Sequence, residues 1–424
     1  MTSPNKTNWP AVALMLLAGI FGALHIGKLP PALVPIREEL GFSLIEAGYV
    51  LSMFSLLGMT LSVFLGGMAD RLGRKRLVIC GFASLALGGA IAALSDGLGL
   101  MLVSRAFEGL GFISVCVALP SAISAAASER DKSLVLGLWS VYTPLGMSIA
   151  MFAAPVMLGS LGWRGTWWII VAACPVVALG VLWALAQVEL PRVVRINPVK
   201  LALAGLSTTG FLVIALTFLA YVFQWMTLMV WLPTFLTESL GLGLAQASFA
   251  TASVVFLNAA GCLIGGWCLR RGASARSQIY LGTAVMGLCS VGILLSVLPD
   301  GARIGLACLF SLAGGLIPPA LFNMVPRVAP RVALVGAGNG MLLQGSAIAQ
   351  FIGAPLVAFA VSHAGGAWSA ALAPMLAACV LTLFAGWLLG HVSNVRPRSG
   401  SEPVAAHVDG VPPEARDRCP PNWP

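Results

Sequence analysis

Four ionisable residues stand inside otherwise apolar runs: His25 and Lys28, then Arg105 and Glu108. An ionisable group inside a membrane span is costly and marks function by default. Each pair is spaced i, i+3, so each pair shares one face of a helix. Lys28 and Arg105 are suited to a carboxylate or another small anion, the arginine through a bidentate fork. Glu108 and His25 are suited to carrying a proton, because a buried acid and an imidazole can titrate near neutral pH. The formal sum of Lys28, Arg105 and Glu108 is +1, which points to an anionic ligand. Plainer readings stand beside these. Arg105 and Glu108 can form an internal structural ion pair. Lys28 can snorkel outward, and His25 can be a hydrogen-bonded core residue.

The elements that hold these residues follow from composition. Of the 424 residues, 58% are hydrophobic and 9% are charged. A soluble domain carries about 25% charge, so a water-exposed globular enzyme is excluded. Disorder is excluded as well, because it needs low hydrophobicity. A polytopic membrane protein remains. Apolar segments fall at roughly 10–35, 46–68, 77–95, 98–126, 134–158 and 166–187, and then at roughly 205–236, 246–269, 277–297, 303–326, 333–361 and 367–391. Twelve such spans use roughly 260 residues and leave about 160 for loops and tails. The runs do not alternate and are about twice the length of a barrel strand, so they are helices. The expected organisation is a cytoplasmic segment at 1–9, a six-helix bundle at 10–187, a cytoplasmic linker at 188–204, a second six-helix bundle at 205–391 and a disordered tail at 392–424. The first apolar run reads as an uncleaved helix, not a signal peptide.

Lysine and arginine set the orientation. With the N-terminus inside, 19 of the 24 basic residues fall in inside segments and only Arg37, Arg164 and Arg303 fall outside. Both termini are therefore expected in the cytoplasm, with the chain in the inner membrane. The net charge of +9 is a topology signal, and no basic patch suggests nucleic acid. In this orientation Lys28 and Arg105 each lie roughly 9 Å outside the midplane, and His25 and Glu108 roughly 4–5 Å. The two pairs match in depth.

The halves repeat. Residues 66–73 (GGMADRLG) align with 265–272 (GGWCLRRG), and 38–41 (EELG) with 238–241 (ESLG). Paired bundles of this kind place a binding site between the halves, near the midplane. The repeat sets Gln224 and Thr227 opposite His25 and Lys28. With Trp225 and Asn258 they would supply neutral hydrogen bonds and an aromatic wall. Gln344, Gln350 and Asn323 are further polar candidates. Each of these is also suited to plain interhelical bonding.

Gly66-Gly-Met-Ala-Asp70-Arg71-Leu-Gly73-Arg74-Lys75-Arg76 resembles the signature loop between the second and third spans of the major facilitator superfamily. Leu102-Val-Ser-Arg105-Ala-Phe-Glu108-Gly109-Leu-Gly111 resembles the fourth-span motif of that family. The resemblance implies an all-α transporter of two six-helix bundles, with spans one and four lining a central cavity where His25, Lys28, Arg105 and Glu108 can meet. It also implies a cytoplasmic latch. Asp70 would face the start of the eleventh span, and Arg74 would pair with Asp70 and with Glu129 or Asp131. Arg71 and Gly73 belong to the same loop. The second copy has Leu269 where the acid should stand, so the latch is assigned to the first copy only.

Thr143-Pro144-Leu-Gly146 only partly resembles the signature of drug-exporting antiporters. The first-span polar residues and the run at 221–233 resemble the cyanate- and nitroimidazole-transporter branch and neighbouring organic-anion symporters. The expectation is proton-coupled symport of a small anion by alternating access. The alternative is export of hydrophobic drugs or metabolites by proton antiport, suggested by the Met- and Trp-rich seventh span. The expected partners are the solute, the proton and the bilayer, with the protein a monomer. No cofactor or metal is expected. The nine cysteines show no CxxC and read as small buried hydrophobes. No triad, phosphate loop or ATP motif suggests an enzyme or a primary pump.

Overall fold

The computed structural model describes residues 6–60, 73–188, 203, 205–330 and 334–394. Asp70, Arg71, most of the linker and the tail lie outside the described residues. The described residues form helices and no strand. Ten helical stretches are long and apolar enough to cross a membrane.

Helix α1 (Trp9–Gly27) is capped by Asn8, whose side chain accepts from the amide of Ala11. It runs through a helical Lys28 into α2 (Leu29–Leu40). Pro30 and Pro31 remove the amides that would bond Ile26 and Gly27, so the helix opens at Lys28. Gly41 closes α2 in the left-handed region, with φ +71°. Helix α3 (Leu44–Met53) starts at a reciprocal cap between Ser43 and Glu46. Helices α4 (Arg74–Ala93) and α5 (Leu98–Ala126) follow, and then the short α6 (Lys132–Trp139).

Helix α7 (Tyr142–Ala186) has 45 residues, about 68 Å at 1.5 Å each. That is more than twice the hydrocarbon thickness of a bilayer, about 30 Å. Gly162 breaks it, with φ +65° and ψ −179°. This conformation is nearly restricted to glycine. The break falls between the apolar segments expected at 134–158 and 166–187.

The second part of the chain contains α8 (Thr209–Leu240), α9 (Leu244–Arg270), α10 (Ala275–Leu294), α11 (Asp300–Gly314), α12 (Ile317–Val328), α13 (Val335–His363) and α14 (Leu372–Asn394). Gly241 ends α8 at φ +65°, so both four-residue motifs ending in Leu-Gly close a helix in the same way. Pro-Pro-Ala-Leu recurs at 30–33 and 318–321, and in both places it follows a break in a helix. The segment expected at roughly 303–326 is one apolar stretch, Asp300–Val328, broken near Leu316.

Within the first part α4 packs on α5, and α1 packs on α7; within the second, α8 packs on α13 and α14. Across the two parts α3 packs on α13, and α7 on α9. Glycine permits the tightest approaches. Gly109 of α5 lies directly against the backbone of Phe54, which draws α5 against the end of α3 beside Arg105.

Candidate functional site

His25, Lys28, Arg105 and Glu108 converge. The first pair stands where α1 opens into α2, and the second stands on one face of α5. All four are buried, between 0% and 3% exposed. Oε1 of Glu108 accepts from Lys28 Nζ at 2.5 Å and lies 3.0 Å from His25 Nδ1. Oε2 of Glu108 accepts from Arg105. Arg105 also donates to the main-chain carbonyl of His25 at 3.0 Å. One carboxylate thus holds two cations, and the formal charge of the cluster is +1 with His25 neutral.

His25 occupies the pivotal position. Its Nδ1 is 3.0 Å from Glu108 and 3.3 Å from Lys28. With the proton on Nδ1 it donates to Glu108. With the proton on Nε2, Nδ1 accepts from Lys28. The two tautomers therefore select different partners. Nε2 is buried without a partner.

Aromatic rings cover both cations. Lys28 Nζ stands 4.5 Å over the Trp167 ring, and the Arg105 guanidinium 4.6 Å over Phe54. Both fall within cation–π range. Phe21 meets His25 edge-on at 5.7 Å.

A narrow cleft of about 390 Å³, counted with its open mouth, separates the two parts of the chain at this level. Ile26, Leu51, Phe54, Ser55 and Arg105 form one wall, and Met226, Thr227, Val230, Gln350 and Ala354 form the other. Arg105 is the one member of the buried cluster on that lining. Ser55 donates to Gln350 across the cleft at 3.3 Å. Gln344 donates to the carbonyl of Met59 at 3.1 Å, again across the two parts.

The other candidates divide. Thr227 lines the cleft, opposite Arg105. Gln224 is fully buried beside the Cys379 thiol of α14. Trp225 donates to Ser311 at 3.1 Å. Asn258 donates to the Ser311 carbonyl at 3.0 Å and to Tyr221 at 3.4 Å. Trp225 and Asn258 thus bind α8, α9 and α11 to one another inside the second bundle.

Of the expected latch, Gly73 stands at φ +84° and opens α4, with Arg74 as its first residue. Glu129 pairs with Lys132 at 2.5 Å. Asp131 accepts from Thr7 at 2.5 Å and from Ser128 at 3.1 Å. Asp70 and Arg71 lie outside the described residues. At the other end of the bundle Arg37 pairs with Glu238 at 2.7 Å.

Sequence reasoning missed Phe54, Trp167 and the ion pair of Arg37 with Glu238. The rings carry no distinguishing signal among 35 aromatic residues (12 Trp, 19 Phe and 4 Tyr). The ion pair joins Arg37, read only as a basic residue of an outside loop, to Glu238, read only as part of a repeat.

The sequence model of the Major Facilitator Superfamily matches residues 14–331. The chain is 27% identical over 216 residues to the uncharacterized MFS-type transporter YfiU of Bacillus subtilis, a match that covers 49% of this chain and 40% of that one. It is 24% identical over 332 residues to the hexuronate transporter of the same organism, covering 74% of this chain and 75% of that one. The chain thus spans less than half the length of the first relative and three quarters of the second. A bacterial homologue of the human lysosomal transporter Spinster, solved inward-facing and unoccupied, shares the fold with TM-score 0.73 at 15% identity, over 91% of this chain and 96% of that one.

Proposed function

Because the chain belongs to the Major Facilitator Superfamily, we propose that it is a secondary transporter that carries a small anion together with a proton. Such a protein spans the bilayer many times and is not an enzyme. In this reading the twelve spans include α3 with the residues after it as the second, and the two segments of α7 as the fifth and sixth. The bundles at 10–187 and 205–391 rock about the cleft, with both termini in the cytoplasm and the protein in the inner membrane.

One observation carries the anion reading: a cluster of net charge +1 is buried beside the cleft, and Arg105 alone of its members reaches the lining. An incoming carboxylate competes with Glu108 for the Arg105 guanidinium. Glu108, relieved of one cation, accepts a proton, and His25 exchanges it through the choice between Glu108 and Lys28. Lys28 keeps the pocket electropositive while the solute is bound. Thr227 and Gln350 offer neutral hydrogen bonds from the facing wall. Parting of Arg37 from Glu238 opens one end; the segment from Asp70 and Arg71 through Gly73 to Arg74, with Glu129 and Asp131, closes the other.

The test is uptake of radiolabelled small carboxylates into proteoliposomes with and without an inward proton gradient. Gradient-driven uptake that is lost in Arg105→Gln supports the reading. Uptake that survives in Arg105→Gln overturns it. Export of hydrophobic compounds is the second reading, favoured by the apolar lining of Ile26, Leu51, Met226 and Val230. Resistance conferred on a susceptible host would favour export.

A further inference from the structure

A ladder of aromatic rings leaves the Arg105 site and follows α1 toward α6. The Phe54 ring lies beneath the Arg105 guanidinium at 4.6 Å. Phe112 follows at 5.3 Å from Phe54, Tyr142 at 6.2 Å from Phe112, and Trp139 stacks on Tyr142 at 4.5 Å. Four different segments of the chain contribute these rings. Phe112, Tyr142 and Trp139 are each partly exposed, and the Tyr142 hydroxyl bonds the Cys116 thiol at 3.2 Å.

Helix α1 seats the ladder. Gly19, Gly22, His25 and Lys28, spaced by three, follow a row that winds half a turn around the helix over nine residues. A Cβ at Gly22 would stand 3.2 Å from the Phe112 ring, and one at Gly19 would stand 2.7 Å from Trp139. The same row of α1 thus holds the rings at one end and the charged cluster at the other.

The cleft is poor in partners for hydroxyl groups. Among its described lining residues Ser55, Thr227 and Gln350 are the neutral polar side chains, and Ser55 and Gln350 already bond each other. A polyhydroxylated acid would leave most of its hydroxyls unpaired there, at a cost for each. A flat unsaturated body would instead meet aromatic faces and apolar walls.

We propose that the carried anion is an aromatic carboxylate, its carboxylate on Arg105 and its ring against Phe54 and Phe112. This deepens the anion reading above and rests on it. Benzoate, cyclohexanecarboxylate, glucuronate and tetraphenylphosphonium are the probes. Binding to the purified full chain is measured by isothermal titration calorimetry and by the shift in melting temperature. The same is done for Phe112→Leu and Arg105→Gln, each first checked for a monodisperse profile and a cooperative melt without ligand.

The expected result is tighter binding of benzoate than of cyclohexanecarboxylate. Phe112→Leu should weaken benzoate about 2- to 10-fold while sparing cyclohexanecarboxylate. Arg105→Gln should abolish both. Equal binding of the two acids overturns the aromatic assignment and leaves the anion reading standing. Glucuronate binding more tightly than benzoate does the same. Binding of tetraphenylphosphonium with every carboxylate silent overturns the anion reading, and the aromatic assignment falls with it. Should neither Phe112→Leu nor a second variant, Phe54→Leu, change the preference for benzoate, the ladder is not the determinant.

Discussion

Arg37 and Glu238, 201 positions apart in sequence, meet in an ion pair of 2.7 Å that ties the two parts of the chain together at one end of the bundle. Arg37 also donates to the carbonyl of Phe42, at 3.4 Å. Both side chains are partly exposed, so the pair contributes about 0.2–1 kcal/mol. That is small for folding but enough to move a conformational equilibrium by up to about fivefold. Arg37→Glu should therefore open this end more often, and the exchange Arg37→Glu with Glu238→Arg should restore it. Spin-label distances across α2 and α8 measure the population. An unchanged distance distribution in Arg37→Glu would show that the pair holds nothing.

Removing the carboxylate that serves two cations should be the most damaging change in the cluster. Glu108→Ala leaves Lys28 and Arg105 buried without a counter-charge. A broken buried pair costs about 3–5 kcal/mol, so the variant should melt well below the parent or fail to accumulate. Arg105→Gln should cost less, because Glu108 keeps Lys28 and His25. Thermal unfolding in detergent ranks the two, and the reverse order would contradict the geometry.

His25 touches both Glu108 and Lys28 through one ring nitrogen. His25→Gln keeps a hydrogen-bonding side chain but cannot relay a proton. Accumulation driven by a proton gradient should fall at least tenfold, while exchange of solute for solute continues. Equal loss of both activities would assign His25 to binding rather than to coupling.

Gly162 separates the two segments of α7 at φ +65° and ψ −179°. A side chain there pays about 1–3 kcal/mol of backbone strain. Gly162→Ala should lower the melting temperature, although a Cβ at that position has open space around it. An unchanged melting temperature would mean that the turn relaxes without penalty.

The charged cluster was legible because charge is rare in an apolar run. Spacing and depth set Lys28 level with Arg105 and His25 level with Glu108, the family resemblance put both pairs around one cavity, and the structure joins all four. Gln224 shows the limit of such reasoning. A repeat fixes how far along a helix a residue lies, but the rotation of that helix about its axis decides which neighbour it meets. Thr227 reaches the cleft, and Gln224, less than one turn away, lies beside Cys379. Phe54 was hidden for a different reason. It sits among many apolar neighbours, and only the closeness of Gly109 to its backbone sets its ring beneath Arg105.

Pro30 and Pro31 deprive the helix of donors just past the buried cluster, and the carbonyl of His25 accepts from Arg105. No solute and no proton can take that carbonyl away. A guanidinium that trades one carboxylate for another normally passes through a moment with neither, buried and uncompensated. Here the main chain holds the same guanidinium nitrogen, Nη1, that donates to Glu108, so one of its two hydrogens stays bonded while the other changes partner.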